Sequence, residues 1–216
     1  MQVLMNQYSK TGTELDEELG PDYPFLVNWT GAIAEHPDFH VLNEKSRTDK
    51  LAQLIRLDMK GVSIPEYSLT KTPICKLSRS RFHQQGRDFT REEESDFWTE
   101  YIPADDEWRL HFFRTAAGNM RLLRSGIKIP RKKPYHPWVR SHRLGWKISY
   151  IGGAPPQVIE EGREAMAALE LDFGAVDILH QAARGVWVLE VNTCPGLESG
   201  TLSKYLQAFW ERREAA

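Results

Sequence analysis

The amino-acid sequence predicts an α+β protein in which short strands and hairpins alternate with amphipathic helices. Apolar residues recur at helical spacing near 46–61, 157–169 and 202–213. Turn residues at Gly118-Asn119 and at 182–185 separate β-rich segments and therefore indicate hairpins. With 216 residues, 41% of them hydrophobic, the chain can bury a substantial core, so we expect one domain or two small lobes that share a core.

Each element follows from a local pattern. Residues 1–24 are polar and are expected to form a loose arm. The first clear helix begins at Ser46 or Thr48, either of which can cap it, and ends at Gly61. The other expected elements are strands at Phe25–Trp29, Ile74–Ser78, Trp98–Ile102, Glu107–Thr115, Met120–Ile129, Phe173–Gln181 and Val186–Val191, helices from Gln157 to about Leu169 and at Leu202–Arg213, a short helix capped by Thr90 and Glu93, a mobile loop at Arg79–Asp88 and a loop at 130–137.

The charged residues are unevenly distributed, although 28 Lys and Arg nearly balance 30 Asp and Glu. No acid lies between Trp108 and Ile159, a stretch that contains eleven of the basic residues. We call 108–159 the basic block. It indicates a site for polyanions or, alternatively, a solvated basic face.

Several classes of protein are excluded or disfavoured by what the sequence lacks. No apolar run approaches the ~20 residues of a membrane span, and the first forty residues lack the order of a secretory signal. Cys75 and Cys194 are too few for a disulfide scaffold or a zinc finger, so a cytoplasmic protein is expected. The common phosphate-loop, dinucleotide, zinc-protease and serine-hydrolase motifs are missing from the sequence.

The strongest local pattern is a hairpin near the carboxyl terminus. A four-residue turn at 182–185 would pair Gln181 with Val186 and would place Asp177 directly opposite Glu190. Cross-strand neighbours lie ~5 Å apart, and like charges there destabilise the sheet. The flanking residues are apolar, so the two carboxylates need a compensating positive charge.

A divalent cation is one source of that charge. Strand alternation puts Asn192 on the same face as Glu190, next to Asp177. Two carboxylates and an amide are oxygen ligands of the kind that Mg²⁺ prefers, and Mg²⁺ often bridges to substrate phosphates. The alternative is a pair of rim carboxylates that are balanced by nearby arginines.

The segments 171–179 (Leu-Asp-Phe-Gly-Ala-Val-Asp-Ile-Leu) and 188–198 (Val-Leu-Glu-Val-Asn-Thr-Cys-Pro-Gly-Leu-Glu) resemble the closing motif of carboxylate–amine ligases of the ATP-grasp superfamily. The similarity is greatest to ligases that add glutamate to a ribosomal protein and to D-alanine–D-alanine ligase. The resemblance implies an ATP-grasp fold, with two α+β lobes and the nucleotide site between them. It divides the chain into a vestigial amino-terminal segment, 1–44, a small lobe, 45–105, and a large lobe, 106–216.

The same resemblance implies the cofactors, ATP and Mg²⁺, and their ligands. One or two Mg²⁺ ions, or Mn²⁺, would bind Asp177, Glu190 and Asn192 and bridge the phosphates of ATP. Lys76 matches the strand lysine that reaches the phosphates, and Lys50 matches an earlier lysine for which Lys45 competes. The other implied contacts are adenine with Glu100 and the backbone of Tyr101 and Ile102, the ribose hydroxyls with Glu107, a phosphate with Arg140, and the triphosphate with a flap at 79–88.

The chain departs from the ligase pattern at Ala175, at His142, which stands where the glutamate-ligase pattern has Asn, and in its short amino-terminal segment. Ala175 stands where D-alanine ligases have Arg, so Arg140 or Arg143 would have to stabilise the acyl phosphate. Arg143 and Lys147 lack secure counterparts and are treated as candidate substrate or phosphate contacts. Only about forty residues precede the first clear helix, so the acceptor site is expected to be abbreviated, or completed by a homo-oligomer or a partner subunit.

The acceptor is expected at the start of the last helix. Ser199, Gly200 and Thr201 could hold its carboxylate at the helix amino terminus, and Thr201 falls where D-alanine ligases use Ser. The alternative is that Ser199 or Thr201 caps the helix.

The expected function is ATP- and Mg²⁺-dependent joining of a small-molecule or peptide carboxylate to an amine, through an acyl phosphate. Two alternatives stay open. One is a non-catalytic nucleotide binder that regulates a partner, and the other is a nucleic-acid-binding protein that uses the basic block. A membrane partner is not expected, and nucleic acid is disfavoured.

Overall fold

The computed structural model describes residues 2–5, 9–30, 36, 38–45, 49–81, 95–131, 139–198 and 200–215. Four helices and three β-sheets occur among these residues, which confirms the α+β class. Three expectations lie outside the described residues: the caps Ser46 and Thr48, nearly all of the mobile loop with the short helix at Thr90, and most of the loop at 130–137.

The amino-terminal residues are folded, so the expectation of a loose arm is wrong. They form a βαβ unit in which the first two strands are parallel, and a third parallel strand extends the sheet in the order β1-β2-β3. The elements are β1 (Val3–Leu4), α1 (Lys10–Leu19), β2 (Leu26–Asn28) and β3 (Val41–Leu42).

Helix α1 escapes detection in the sequence because few of its residues are apolar. Ser9 caps it by accepting a hydrogen bond from the N–H of Gly12 at 3.2 Å. Leu15 and Leu19 share one face, and both are buried together with Tyr23. Their neighbours come from distant parts of the chain, so the apolar face is defined only in the folded molecule.

A second unit contains a helix and a small antiparallel sheet of order β4-β6-β5. Asp49 caps the helix, because its Oδ1 accepts hydrogen bonds from the N–H groups of Leu51 and Ala52 at 3.0 and 3.1 Å. The elements are α2 (Lys50–Met59), β4 (Tyr67–Ser68), β5 (Cys75–Arg79) and β6 (Phe97–Glu100).

Helix α2 bridges the small sheet and the larger sheet that follows. Leu51 and Leu54 pack on Phe97 of the small sheet. Leu57, one turn further on, belongs to the core of the large sheet. The helix therefore holds the two sheets against each other.

The large sheet has five antiparallel strands in the order β11-β10-β7-β8-β9. Its elements are β7 (Asp106–Arg114), β8 (Met120–Pro130), β9 (Trp146–Ser149), β10 (Phe173–Gln181) and β11 (Gly185–Asn192), with α3 (Pro156–Ala168), α4 (Thr201–Glu214) and a 3-10 helix at His142–Leu144.

Alternate residues of the central strands enter two separate cores. Leu110 and Val176 pack with α3 on one face of the sheet. Phe113 and Phe173 pack with α4 and the amino-terminal unit on the other face. The second face also carries polar side chains, and the candidate site lies among them.

The hairpin of β10 and β11 has the expected pairing at the carboxylates but not at the turn. Gln181 pairs with Gly185, so the turn contains three residues and the expected Gln181–Val186 pair is wrong. A β-bulge then places Leu189 as an extra residue in β11 and brings Asp177 opposite Glu190. Two departures from the expected register cancel at the candidate site.

Within the described part of the chain, no helix combines the length and the apolar character needed to cross a membrane.

Candidate active site

Two carboxylates face each other across the β10–β11 hairpin. Asp177 and Glu190 are direct cross-strand partners, and Asp177 is only 2% exposed. Asn192 donates a hydrogen bond from Nδ2 to Glu190 Oε1 at 3.3 Å, so the three expected metal ligands lie together. Glu190 is half-buried, and two like charges on directly paired residues require compensation by cations.

Two cations of the large sheet compensate Asp177. Arg109, its cross-strand partner on β7, donates from Nε and Nη2 to the two carboxylate oxygens, each at 2.7 Å. Lys128 on β8 donates to Asp177 Oδ2 at 3.2 Å and also pairs with Glu107. In the structure, Asp177 is therefore a carboxylate balanced by an arginine, which is the alternative to balance by a divalent cation.

Glu190 is compensated from the other side of the site. Lys50, the first residue of α2, forms an ion pair with it. Burial raises the pKa of Glu190, but the charge and hydrogen bond of Lys50, together with the charge of Lys128, outweigh this effect and the net pKa is lowered. Burial also raises the pKa of Asp177, but the charges of Arg109 and Lys128 reverse this effect and hold the pKa well below its usual range. Both carboxylates are therefore ionised at neutral pH.

A fourth cation approaches from the small sheet. Arg79, at the end of β5, donates from Nε to Thr99 Oγ1 at 2.9 Å. Burial lowers the pKa of Arg79, while the charges of Glu190 and Glu107 act in the opposite direction. The site thus has four cations for three carboxylates, a balance that favours an anionic ligand.

The side chains at the hairpin suit Mg²⁺ in their chemistry. Asp177, Glu190 and Asn192 supply hard oxygen donors, which this ion prefers. Among the described residues, no three His, Cys, Asp or Glu side chains converge as a metal cluster. The two carboxylates and the amide would hold an ion here, and it would compete with Arg109 for the oxygens of Asp177.

The expected phosphate lysines lie in different environments. Lys50 reaches the hairpin, whereas its competitor Lys45 pairs with Glu170. Lys76 is exposed at an irregularity in the pairing of β5 with β6, and within the described residues its ammonium has no hydrogen bond or ion pair. Only Lys50 of these lysines contacts a carboxylate of the site.

The expected adenine-binding segment follows β6 directly. The N–H of Glu100 donates to Glu66 O at 2.8 Å, Tyr101 is half-buried and Ile102 is buried. Glu107 is 5% exposed and pairs with Lys128. The structure therefore joins Glu107 to the same ion-pair network as Asp177, through Lys128.

Of the three residues expected to act in catalysis, Arg140 and Lys147 make no contact with the hairpin carboxylates within the described part of the structure. Arg140 donates from Nη2 to the carbonyl of Ala104 at 2.7 Å, and its guanidinium lies over the Trp146 ring at 5.1 Å. Arg143 has its backbone in the 3-10 helix, and its side chain lies outside the described part of the structure. Lys147 is an exposed residue of β9.

The start of α4 contains a buried polar contact. Ser199 lies outside the described residues, and Gly200 occupies the cap position with φ 79°. Thr201 is fully buried, and its Oγ1 accepts a hydrogen bond from Arg124 Nη1 at 2.9 Å. Because the cap position is a glycine, the interpretation of Thr201 as the cap is wrong. Arg124 also lies over the ring of Tyr150 at 3.7 Å.

A neutral histidine lies behind Arg109 on the same strand. Tyr205 Oη donates to the carbonyl of Gly174 at 3.0 Å, so it accepts a hydrogen bond from His111 Nδ1 at 3.3 Å. His111 Nε2 then accepts from Tyr150 Oη at 3.4 Å. Burial, followed by the charge of Arg109, lowers the pKa of His111 to about 3.

Sequence reasoning did not assign the cations that contact the carboxylates most closely. Arg109 and Lys128 belong to the basic block, which was the available signal, but only the register of β7, β8 and β10 singles them out. Other members of the block are also engaged inside the molecule. They are Arg114 with Leu171 O, Arg121 with Glu211, Arg124 with Thr201 and Arg140 with Ala104 O. These described members of the block are therefore engaged in contacts within the molecule.

Many solved structures resemble the chain, and three of them serve as examples. They are the ATP-grasp ligase PsnB complexed with minimal precursor, Mg and ADP (15% identity, TM-score 0.56, 81% of this chain and 62% of the other covered), the ADP complex of purK, N5-carboxyaminoimidazole ribonucleotide synthetase (10%, 0.57, 79% and 54%), and D-alanine–D-alanine ligase from Bacillus anthracis (12%, 0.54, 78% and 69%).

The chain spans between about half and two thirds of the length of the solved structures that it matches. No family model matches the sequence, and no curated protein sequence has significant similarity to it. Identities of 10–17% support a shared fold and not a shared reaction. The expected architecture is confirmed at this level: the chain has the ATP-grasp fold.

Proposed function

We propose that the chain is an ATP- and Mg²⁺-dependent ligase that joins a carboxylate to an amine and forms an amide or peptide bond through an acyl phosphate. The observation that carries this proposal is the direct pairing of Asp177 with Glu190 among Lys50, Arg109 and Lys128, in a chain with the ATP-grasp fold. Two ionised carboxylates among an excess of cations suit a ligand that combines a metal ion with phosphates.

In the proposed reaction, an oxygen of the substrate carboxylate forms a bond to the γ-phosphorus of ATP, and ADP leaves. The amine nitrogen then attacks the acyl carbon, phosphate leaves, and the nitrogen loses a proton. Bound Mg²⁺ would neutralise phosphate charge. Lys50, Arg109 and Lys128 would hold the phosphates once they leave their carboxylates, and their fixed positions would stabilise the charge that develops in the transition state.

The charge balance makes a prediction about the order of binding. The hairpin carboxylates are already compensated by Lys50, Arg109 and Lys128, so a free divalent cation meets little net negative charge. A complex of Mg²⁺ with a nucleotide is net negative and can replace these ion pairs. We therefore propose that the metal enters together with the nucleotide.

The other nucleotide contacts are proposed from the resemblance and from their places in the fold. The segment Glu100–Ile102 would contact adenine, Glu107 the ribose, and Lys76 a phosphate. Arg140, Arg143 and Lys147 are proposed as further phosphate or substrate contacts. The start of α4, with Ser199, Gly200 and Thr201, would hold the carboxylate of the acceptor.

The proposed lobes are 45–105 and 106–216, after a short amino-terminal segment, 1–44. The acceptor would be a small molecule or a peptide. PsnB, one of the structural neighbours, is complexed with a precursor, which makes a peptide carboxylate a suitable first substrate to test. A cytoplasmic location stays a prediction.

Turnover with a metal-site variant tests the proposal. Amine and acid pairs are screened for Mg²⁺-dependent release of ADP and phosphate. Glu190→Gln should then reduce turnover about a hundredfold or more, because it removes a charged ligand. Glu164→Gln, which changes an exposed residue of α3, is the charge-matched control and should keep full turnover. Equal turnover of the Glu190 variant and the control would remove Glu190 from the metal site.

A second function is favoured by one observation. Because Arg109 occupies both oxygens of Asp177, the chain could bind a nucleotide without using Asp177 as a metal ligand. Such a protein would regulate a partner and would not catalyse ligation. It would bind ADP equally well with and without Mg²⁺ and would release no ADP with any pair of substrates. The ligase would need Mg²⁺ both for nucleotide binding and for turnover.

A further inference from the structure

A buried glutamine on α2 completes the outer edge of β11. Gln53 is 3% exposed and donates from Nε2 to the carbonyl of Val191 at 2.9 Å. The N–H of Val191 donates to Gln53 Oε1 at 3.0 Å. The carboxamide thus makes both hydrogen bonds that a neighbouring strand would make at this residue.

The position of Val191 gives this contact its importance. Val191 lies between Glu190 and Asn192, two of the three proposed metal ligands. Strand β11 is at the edge of its sheet, and it has an extra residue, Leu189, just before this segment. A bulged edge strand is paired on one side only, so its register is weakly held there. Gln53 supplies the missing partner on the other side.

The same helix also contacts a side chain of this segment. Lys50, three residues before Gln53 on α2, pairs with Glu190. Residues three apart lie on one face of a helix. Helix α2 therefore holds the backbone through Gln53 and one proposed ligand through Lys50.

A third contact lies further along the same edge and provides a comparison. Ser63 accepts a hydrogen bond at its carbonyl from the N–H of Val188, and its hydroxyl donates to the carbonyl of Val186 at 2.6 Å. These bonds precede the extra residue Leu189 and do not touch the segment that carries Glu190. Gln53, in contrast, hydrogen-bonds to the backbone of Val191, between the two ligands.

We propose that Gln53 is a positioning residue for the metal-binding segment Glu190–Asn192. The carboxamide fits because it carries one donor group and one acceptor group in the same plane. An ionised carboxylate at this position could not donate to Val191 O, and a thioether could make neither bond. This proposal depends on the proposed function, because it assigns Gln53 a role toward the metal ion.

Metal affinity tests the role directly. Binding of Mn²⁺ in the presence of ADP is measured by electron paramagnetic resonance for the unsubstituted chain, Gln53→Met and Ser63→Ala. We expect Gln53→Met to weaken Mn²⁺ binding about 10- to 100-fold, as loss of a group that orients metal ligands does. Ser63→Ala removes a bond to the same strand and should leave the Mn²⁺ affinity unchanged.

Amide hydrogen exchange supplies a readout that needs no metal. The N–H of Val191 should exchange faster in Gln53→Met than in the unsubstituted chain, while its exchange in Ser63→Ala should be unchanged. If Gln53→Met does not fold, Gln53→Glu keeps the shape and the acceptor but loses the donor at neutral pH. We expect it to weaken Mn²⁺ binding to a similar extent.

The possible failures are distinguishable. Unchanged Mn²⁺ affinity in a folded Gln53 variant would overturn the positioning role and leave the proposed function standing. An equal loss of affinity in Ser63→Ala would also overturn it, because the effect would then belong to general stability. Absence of Mn²⁺ binding by the unsubstituted chain with ADP would overturn both proposals.

Discussion

Acidification from pH 7 to pH 5 should destabilise the protein through one buried side chain, His111. The ordinary pKa of histidine is 6.5, and burial followed by the charge of Arg109 lowers the pKa of His111 to about 3 in the folded protein. Below pH 6.5 the unfolded chain therefore binds a proton that the folded chain does not. Stability is lost as the pH falls from 6.5 toward 3, with a slope of up to about 1.4 kcal/mol per pH unit.

The magnitude follows from the two pKa values. Between pH 7 and pH 5, a pKa of 6.5 unfolded and about 3 folded corresponds to a loss of about 2 kcal/mol in the free energy of unfolding. The carboxyl groups of Asp177 and Glu190 have lowered pKa values and titrate below this range. They therefore do not obscure the effect of His111.

The assay is urea unfolding at pH 7 and pH 5, followed by tryptophan fluorescence, for the unsubstituted chain and two variants. His111→Gln removes the titrating group, so its loss of stability on acidification should be smaller by about 2 kcal/mol. His142→Gln changes an exposed histidine and should show the full loss. If His111→Gln and the unsubstituted chain lose the same stability, water reaches His111 in the folded protein and the reasoning is refuted.

Two further substitution pairs test the site and the fold. Lys50→Met should weaken binding of Mn²⁺ with ADP about tenfold, because it removes a cation that is proposed to hold the phosphates of the nucleotide, while Lys76→Met should have a smaller effect. A greater loss for Lys76→Met in the same titration would contradict this order. Leu15→Ala in α1 should lower the free energy of unfolding in urea by about 2–5 kcal/mol, whereas Leu69→Ala, at a residue that is 70% exposed, should change it by less than about 0.5 kcal/mol. Similar small changes for both leucines would mean that the amino-terminal residues are a loose arm after all.

The carboxylates of the candidate site could be predicted from the sequence, but its cations could not. Asp177 and Glu190 lie on consecutive strands joined by a short turn, so counting along the hairpin is almost sufficient to pair them. Arg109 is 68 residues from Asp177 along the chain. The contact of Arg109 with Asp177 depends on which strand pairs with β10 on the side opposite β11. No local pattern in the sequence contains that information.

The fold was predictable where the apolar residues keep a helical period. Helix α3, the carboxyl-terminal helix α4 and four strands of the large sheet, β7, β8, β10 and β11, lie within one or two residues of their expected bounds, whereas β9 was not expected. Helix α1 was missed because its buried face consists of few residues, which pack against Phe209 and Tyr205 from the other end of the chain. The burial of such a face can be recognised only from its neighbours in the tertiary structure.

The sequence by itself determined the class of the protein, the hairpin that carries Asp177 and Glu190, and the basic character of the strands beside it. These properties depend on neighbouring residues, whose spacing sets side-chain direction and periodicity. The tertiary structure alone decided that Arg109 and Lys128 would be the cations at Asp177, and that Gln53 would hold the strand between the proposed ligands. Those contacts join segments far apart in the chain, and they exist because strand order and helix packing bring the charges and the amide to one buried place.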